Sequence, residues 1–167
     1  MTHDFELKRI TTDGIPLALE KAERYRLLND PEQAESICHD ILAVDPDHQD
    51  TLRAMVLVLT DQFASAHTHG GVREARTFAE QLTDEYERAY YTGIIFEREA
   101  RAYLARPGVV RSAVYDGLRQ AMECYERAEV VRPPGNVDAL LRWNSCVRTI
   151  RRDRLEPEPE SGEPPLE

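Results

Sequence analysis

Residues 15–48 read IPLALEKAERYRLLNDPEQAESICHDILAVDPDH, and the fold turns on this stretch. Two blocks carry apolar side chains at steps of three and four. Asn29-Asp30-Pro31 separates them and Asp45-Pro46 closes the second. Such steps collect side chains on one face of a helix, whereas a half-buried strand would alternate them. The first block, about 16–28, opens on Pro16. Proline suits a first helical position, because the missing N–H has no partner to lose there. This helix is expected to bury Leu17 or Ala18, then Ala22, Tyr25 and Leu28. The second, about 32–44, carries Ala34, Ile37, Cys38, Ile41 and Leu42.

Outward from this hairpin the same periodicity predicts five more helices. The third, about 49–63, holds Leu52, Met55, Val56, Leu59 and Phe63. Its run Met55-Val-Leu-Val-Leu59 competes as a buried strand, but the flanking residues keep helical spacing. A loop, His67-Thr-His-Gly-Gly71, precedes a fourth helix at about 72–83 with Ala75, Phe78, Ala79 and Leu82. The fifth, about 85–105, buries Tyr86, Ala89, Tyr90, Gly93, Ile94, Ala100, Tyr103 and Leu104, and Arg106-Pro-Gly108 stops it. The sixth, about 112–131, buries Leu118, Ala121, Met122, Tyr125 and Ala128 before Pro133-Pro-Gly135. The seventh, about 136–153, is expected to bury Val137, Leu140, Leu141, Val147 and Ile150. Residues 1–14 form an N-terminal extension, 15–153 the helical domain and 154–167 an acidic, proline-rich tail. Residues 156–167 hold five glutamates and four prolines, too little apolar surface to offset the entropy of ordering.

The helices repeat. Ala34, Cys38, Ile41, Val44 and Pro46 correspond to Ala121, Tyr125, Ala128, Val131 and Pro133, each pair offset by 87 residues. A weaker copy, Ala75, Ala79 and Leu82, is offset by 41. In each copy a small residue lets two helices approach, and larger residues fill the space behind it. Residues 15–48 resemble the tetratricopeptide repeat (TPR), a helix–turn–helix family, through Ala22, Tyr25, Ala34 and Pro46 and the closing segment Ile41-Leu-Ala-Val-Asp-Pro46. The resemblance extends more loosely to about residue 153. It implies an all-α, TPR-like α-solenoid of three helix pairs plus a C-terminal capping helix. A generic α-solenoid or helical bundle is the alternative.

The chain has 167 residues and a net charge of −10. Without the acidic tail the body carries about half of that charge, and neither part offers the positive field of a general nucleic-acid binder. No apolar run approaches the roughly 20 residues of a bilayer span, and no apolar leader opens the chain, so a cytoplasmic location is expected. Three cysteines, Cys38, Cys124 and Cys146, widely spaced and odd in number, argue against a disulfide framework or a zinc ribbon.

Candidates for chemistry are few. His67 and His69 form the most ligand-like cluster, but two imidazoles are too few for a metal site and the expectation is a polar loop. Cys38 and His39, adjacent on a helix, point about 100° apart, which makes them a core thiol and a surface histidine. Arg148, Arg151, Arg152 and Arg154 complement the dipole at the end of the last helix. Trp143 is expected to anchor that helix against the sixth. No GxGxxG, P-loop, HExxH or GxSxG occurs, and nothing argues for catalysis; no cofactor or metal is expected.

The resemblance therefore points to surface recognition. The family's groove-lining positions fall on Pro16, Leu19, Glu23, Arg26 and Leu27 in the first unit. In the second they fall on Asp50, Arg53, Leu57, Thr60 and Asp61, and in the third on Glu87, Tyr90, Ile94, Glu97 and Arg98. The resemblance implies a non-enzymatic adaptor or scaffold that binds a protein or peptide partner through Leu19, Glu23, Arg26, Arg53, Leu57, Asp61, Tyr90, Ile94, Glu97 and Arg98. The competing expectations are a subunit that assembles with copies of itself and a metal-binding helical protein using the His67/His69 loop.

Overall fold

The computed structural model describes residues 4–65 and 71–160. Among these residues it is all-helical: α1 (Ile15–Leu27), α2 (Pro31–Val44), α3 (Gln49–Asp61), α4 (Gly71–Glu80), α5 (Glu85–Leu104), α6 (Arg111–Val130) and α7 (Asp138–Arg152), preceded by a 3-10 turn at Thr12–Gly14. No strand occurs among the described residues, so the Met55–Leu59 run is helical. None of these helices is long and apolar enough to cross a membrane. The His67/His69 loop and residues 161–167 of the tail lie outside the described residues.

Side-chain chemistry at the boundaries explains where α2, α3 and α5 begin. Asp30 accepts the Gln33 N–H at 3.3 Å to start α2, with Pro31 in its first turn. His48 Nδ1 accepts the Thr51 N–H at 3.3 Å to start α3, and Asp84 accepts the Glu87 N–H at 2.9 Å to start α5. The ends of α1 and α7 follow another rule. Asn29 has φ 61°, and the next N–H, of Asp30, reaches back to the Tyr25 carbonyl at 2.9 Å. This left-handed cap satisfies a carbonyl that α1 cannot. Arg154, with φ 49°, closes α7 in the same way, the Leu155 N–H donating to the Ile150 carbonyl at 3.0 Å. The residue after such a cap commonly packs back on its helix. Leu155, which composition places in the tail, is accordingly buried.

Consecutive helices pack on one another throughout, and α1 and α5 both also touch α3. The core has two parts. Ala22, Ala34, Cys38, Met55, Val56, Phe63, Ala75 and Ala79 form the first, under α1 to α4. Val114, Leu118, Ala121, Tyr125, Ala128, Ala139 and Cys146 form the second, under α5 to α7. Helix α5 joins them: Ile95 belongs to the first part and Ile94 to the second. Neighbouring positions on a helix diverge by about 100°, so adjacent isoleucines seat in different cores.

Two terminal helices differ from expectation. On α1, Leu17 and Leu28 are exposed, while Ile15 and Ala22 are buried. On α7, Val137, Leu140 and Leu141 are exposed. The buried face is Ala139, Cys146 and Thr149, with Trp143 and Ile150 packed beside it. Each end helix has one neighbouring layer and buries one narrow stripe, so its other large apolar residues face outward.

Candidate functional site

A cleft of about 360 Å³ runs between α1, α3 and α5. Leu19, Ala22, Ala54, Leu57, Val58 and Tyr91 give it an apolar floor, and Glu23, Arg26, Leu27, Asp50 and Arg53 line its rim. Each wall has a local cause. Leu19, Glu23 and Arg26 follow one another at helical steps on α1, and Asp50, Arg53, Ala54 and Leu57 do so on α3. The small Ala22 and Ala54 leave the hollow open where larger side chains would fill it.

The cleft arginines are held by carboxylates of other helices. Arg26 donates to Asp61 from Nε at 2.5 Å and from Nη2 at 3.3 Å. Arg98 of α5 binds the same carboxylate and donates to Thr60 Oγ1 at 2.9 Å. One aspartate thus joins α1, α3 and α5. Arg53 donates to both oxygens of Glu87, at 2.9 and 2.8 Å, and also to Asp50. These side chains are only about a quarter exposed apart from Asp50, so the pairs fix rotamers as well as balance charge.

Of the expected groove residues, the structure brings Leu19, Glu23, Arg26, Arg53 and Leu57 together in the cleft, with Asp61 and Arg98 bonded at its edge. Three expected groove residues depart from it. Ile94, 1% exposed, is core. Glu97, 2% exposed, is buried beneath α7. Tyr90 turns to a separate hollow with Asp138, Leu141, Arg142 and Ser145, and its neighbour Tyr91 faces the cleft instead. The cause is the docking of α6 and α7 on α5, which covers the side of the helix carrying Ile94 and Glu97. Tyr91 was readable only as one of two adjacent tyrosines, and the periodicity of α5 does not favour it over Tyr90.

Glu97 is the centre of a buried polar cluster. Its Oε2 accepts from the Tyr125 hydroxyl at 2.5 Å, and its Oε1 accepts from Arg101 Nε at 2.9 Å and Arg142 Nη1 at 3.4 Å. Arg101 also donates to Thr149 Oγ1 at 2.7 Å and Ser145 Oγ at 3.0 Å. A buried carboxylate with three donors keeps its hydrogen-bonding capacity filled, and here it ties α5 to α6 and α7. The Cys146 thiol lies close enough to feel its charge. Trp143 anchors α7 on α6 as expected, its indole donating to Glu126 at 3.0 Å.

The thiols are inert by environment. Cys38, Cys124 and Cys146 are all free and buried. Burial first, then the charges of Glu35 and Glu23, push Cys38 from 9.0 up to about 12. Burial and then Glu97 push Cys146 up to about 12. Burial raises Tyr125 further, with Glu97 adding to it. A group whose folded pKa is raised holds its proton more tightly in the folded chain. Its stabilisation is complete below the unfolded value, near 9.0 for these thiols, and disappears as pH rises toward 12. The melting temperature is therefore expected to fall steadily between about pH 9 and 12, and less steeply in Cys38→Ala. A flat profile over that range in thermal melts followed by circular dichroism would contradict the assignment.

A larger hollow, about 590 Å³, is lined by Phe63, Val72, Phe96, Ala100, Tyr103 and Gly117, with charged residues around them. Arg76 lies across it, 4.9 Å above the Phe96 ring and 3.2 Å from Glu99. No model of a known protein family, no curated protein and no solved structure matches the chain.

Proposed function

We propose that the protein is a TPR-like adaptor or scaffold, without catalysis of its own, whose α1/α3/α5 cleft binds a peptide or protein partner. One observation carries the reading: the helices that the repeat pattern assigns to the groove, α1, α3 and α5, are those that line the cleft, with five of the expected residues on its walls. The order of packing supports three helix pairs, α1/α2, α3/α4 and α5/α6, closed by α7. Such arrays leave an extended face for recognition. The apolar floor suits an apolar side chain of a partner, and the pre-bonded arginines of the rim would meet it without further ordering.

Because Arg26 and Arg53 tie helices together, truncating them would lower stability along with binding. Leu27, 84% exposed, and the exposed Glu23 are cleaner probes. Surface changes of this kind usually move stability by less than about 0.5 kcal/mol. The Glu23→Lys/Leu27→Glu double variant is expected to melt like the wild type and to bind a recovered partner at least about tenfold more weakly, a loss of about 1.4 kcal/mol. Titration calorimetry with both proteins checks this, and equal affinity would move the interface elsewhere. The rival reading, assembly with copies of the same chain, rests on the exposed Leu17, Leu28, Leu140 and Leu141 of the two end helices. Sedimentation velocity at several concentrations separates the two: the adaptor reading expects one concentration-independent species.

A further inference from the structure

We propose that Glu35, His39 and Glu74 form a binding site for a divalent transition-metal ion on the side of the molecule built by α2 and α4, independent of the cleft. Glu35 and His39 are one turn apart on α2, so both side chains leave the same face. Glu74 arrives from the first turn of α4. His39 Nε2 stands 3.6 Å from Glu35 Oε1 and 3.9 Å from Glu74 Oε1. One donor atom from each residue lies within 4.8 Å of the other two.

The spacing suits one ion. Zinc–nitrogen and zinc–oxygen bonds of about 2.0–2.2 Å place tetrahedral ligands roughly 3.4 Å apart, so the two histidine–carboxylate pairs need to close by only a few tenths of an ångström and the two carboxylates by at most about 1.4 Å. Half-exposed His39 and Glu74 give an ion access and leave its fourth position to water. Glu35 is held for the purpose by a residue outside the set. Its other oxygen, Oε2, accepts from Gln62 Nε2 at 2.7 Å, and Gln62 is itself buried and anchored on the Val58 carbonyl at 3.2 Å. Hydrogen bonds of this type, on the far atom of a ligating group, fix its orientation toward the metal. One imidazole with two carboxylates is a donor set for zinc, cobalt, nickel or manganese rather than for a soft ion. Cys38, next in the chain, points into the core with its thiol protonated and takes no part.

The test is calorimetric titration of the untagged full chain with zinc chloride after chelator treatment, in a buffer that does not coordinate zinc. One equivalent is expected to bind and to raise the melting temperature. His39→Ala and Glu74→Gln, both at exposed or half-exposed positions, should each weaken binding at least about tenfold, and Gln62→Ala about ten- to a hundredfold. The His67→Ala/His69→Ala variant should bind as the wild type does. Absence of saturable binding to the wild type would leave only a histidine between two carboxylates and overturn the site. So would undiminished binding in His39→Ala/Glu74→Gln, which would place the ion elsewhere.

Discussion

Glu97→Ala is expected to lower stability by roughly 2–4 kcal/mol. The substitution leaves the Tyr125 hydroxyl, on a fully buried ring, without its acceptor, at about 1–3 kcal/mol. It also leaves Arg101 and Arg142 without their shared carboxylate. Those two side chains are about 30% exposed and relax toward water, so the loss stays below that of a fully enclosed ion pair. Glu97→Gln retains an acceptor for Tyr125 and should lose less. Adding Tyr125→Phe to Glu97→Ala should recover part of the loss, because the orphaned hydroxyl is gone. Urea denaturation of the four proteins checks this. A loss below about 1 kcal/mol in Glu97→Ala would mean that the cluster holds little of α7 in place.

Gly93→Ala should also destabilise, although alanine is the better helix former by about 1 kcal/mol. A Cβ on Gly93 would stand 2.6 Å from Tyr125 Cε1 and 3.1 Å from Cys124 Cβ. The ring is fully buried and its hydroxyl is fixed by Glu97, so it has no free direction in which to move. Overpacking of a filled core costs about 1–3 kcal/mol, and a 2.6 Å approach to a fixed ring belongs to the upper part of that range, so after the propensity gain of about 1 kcal/mol the net loss should be about 1–2 kcal/mol. Gly93→Ala combined with Tyr125→Leu makes room for the new methyl and should show less than the sum of the two single losses. A neutral or stabilising Gly93→Ala, by thermal or urea melts, would show that α5 and α6 are not as close as the structure has them.

Much of this architecture was legible in the residues. Proline and aspartate mark the breaks between α1, α2 and α3 unambiguously, because proline removes a donor and aspartate supplies a cap. Ala34, Ala75 and Ala121, found by their repeat, are all fully buried. The TPR resemblance, rather than the repeat itself, is what groups Leu19, Glu23 and Arg26 with Arg53 and Leu57, which line one cleft.

What escaped the sequence did so for identifiable reasons. The TPR resemblance places Glu97 at a groove-lining position, and only the donors on α6 and α7 reveal that it is buried. The spacing Gly93–Glu97–Arg101 was the available hint: a small residue for close approach, then an i,i+4 ion pair on the same face. The α7 register was drawn to Leu140 and Leu141 by size, yet Ala139, Trp143, Cys146 and Ile150 have equally helical spacing and form the packed side. Glu74 could not be joined to Glu35 and His39 because they sit on different helices, and only the packing of α2, α3 and α4 brings them together.

On the proposed function, the α1/α3/α5 cleft receives a partner. The most direct test is a photo-activatable amino acid placed at Leu27, on the cleft rim, and separately at Leu140, exposed on α7 outside it. Both proteins are irradiated in extract of the source cells, and the adducts are weighed and sequenced. A discrete adduct with a different protein is expected at Leu27 and none in common at Leu140. Adducts formed only at Leu140, or only with a second copy of this chain, would contradict it.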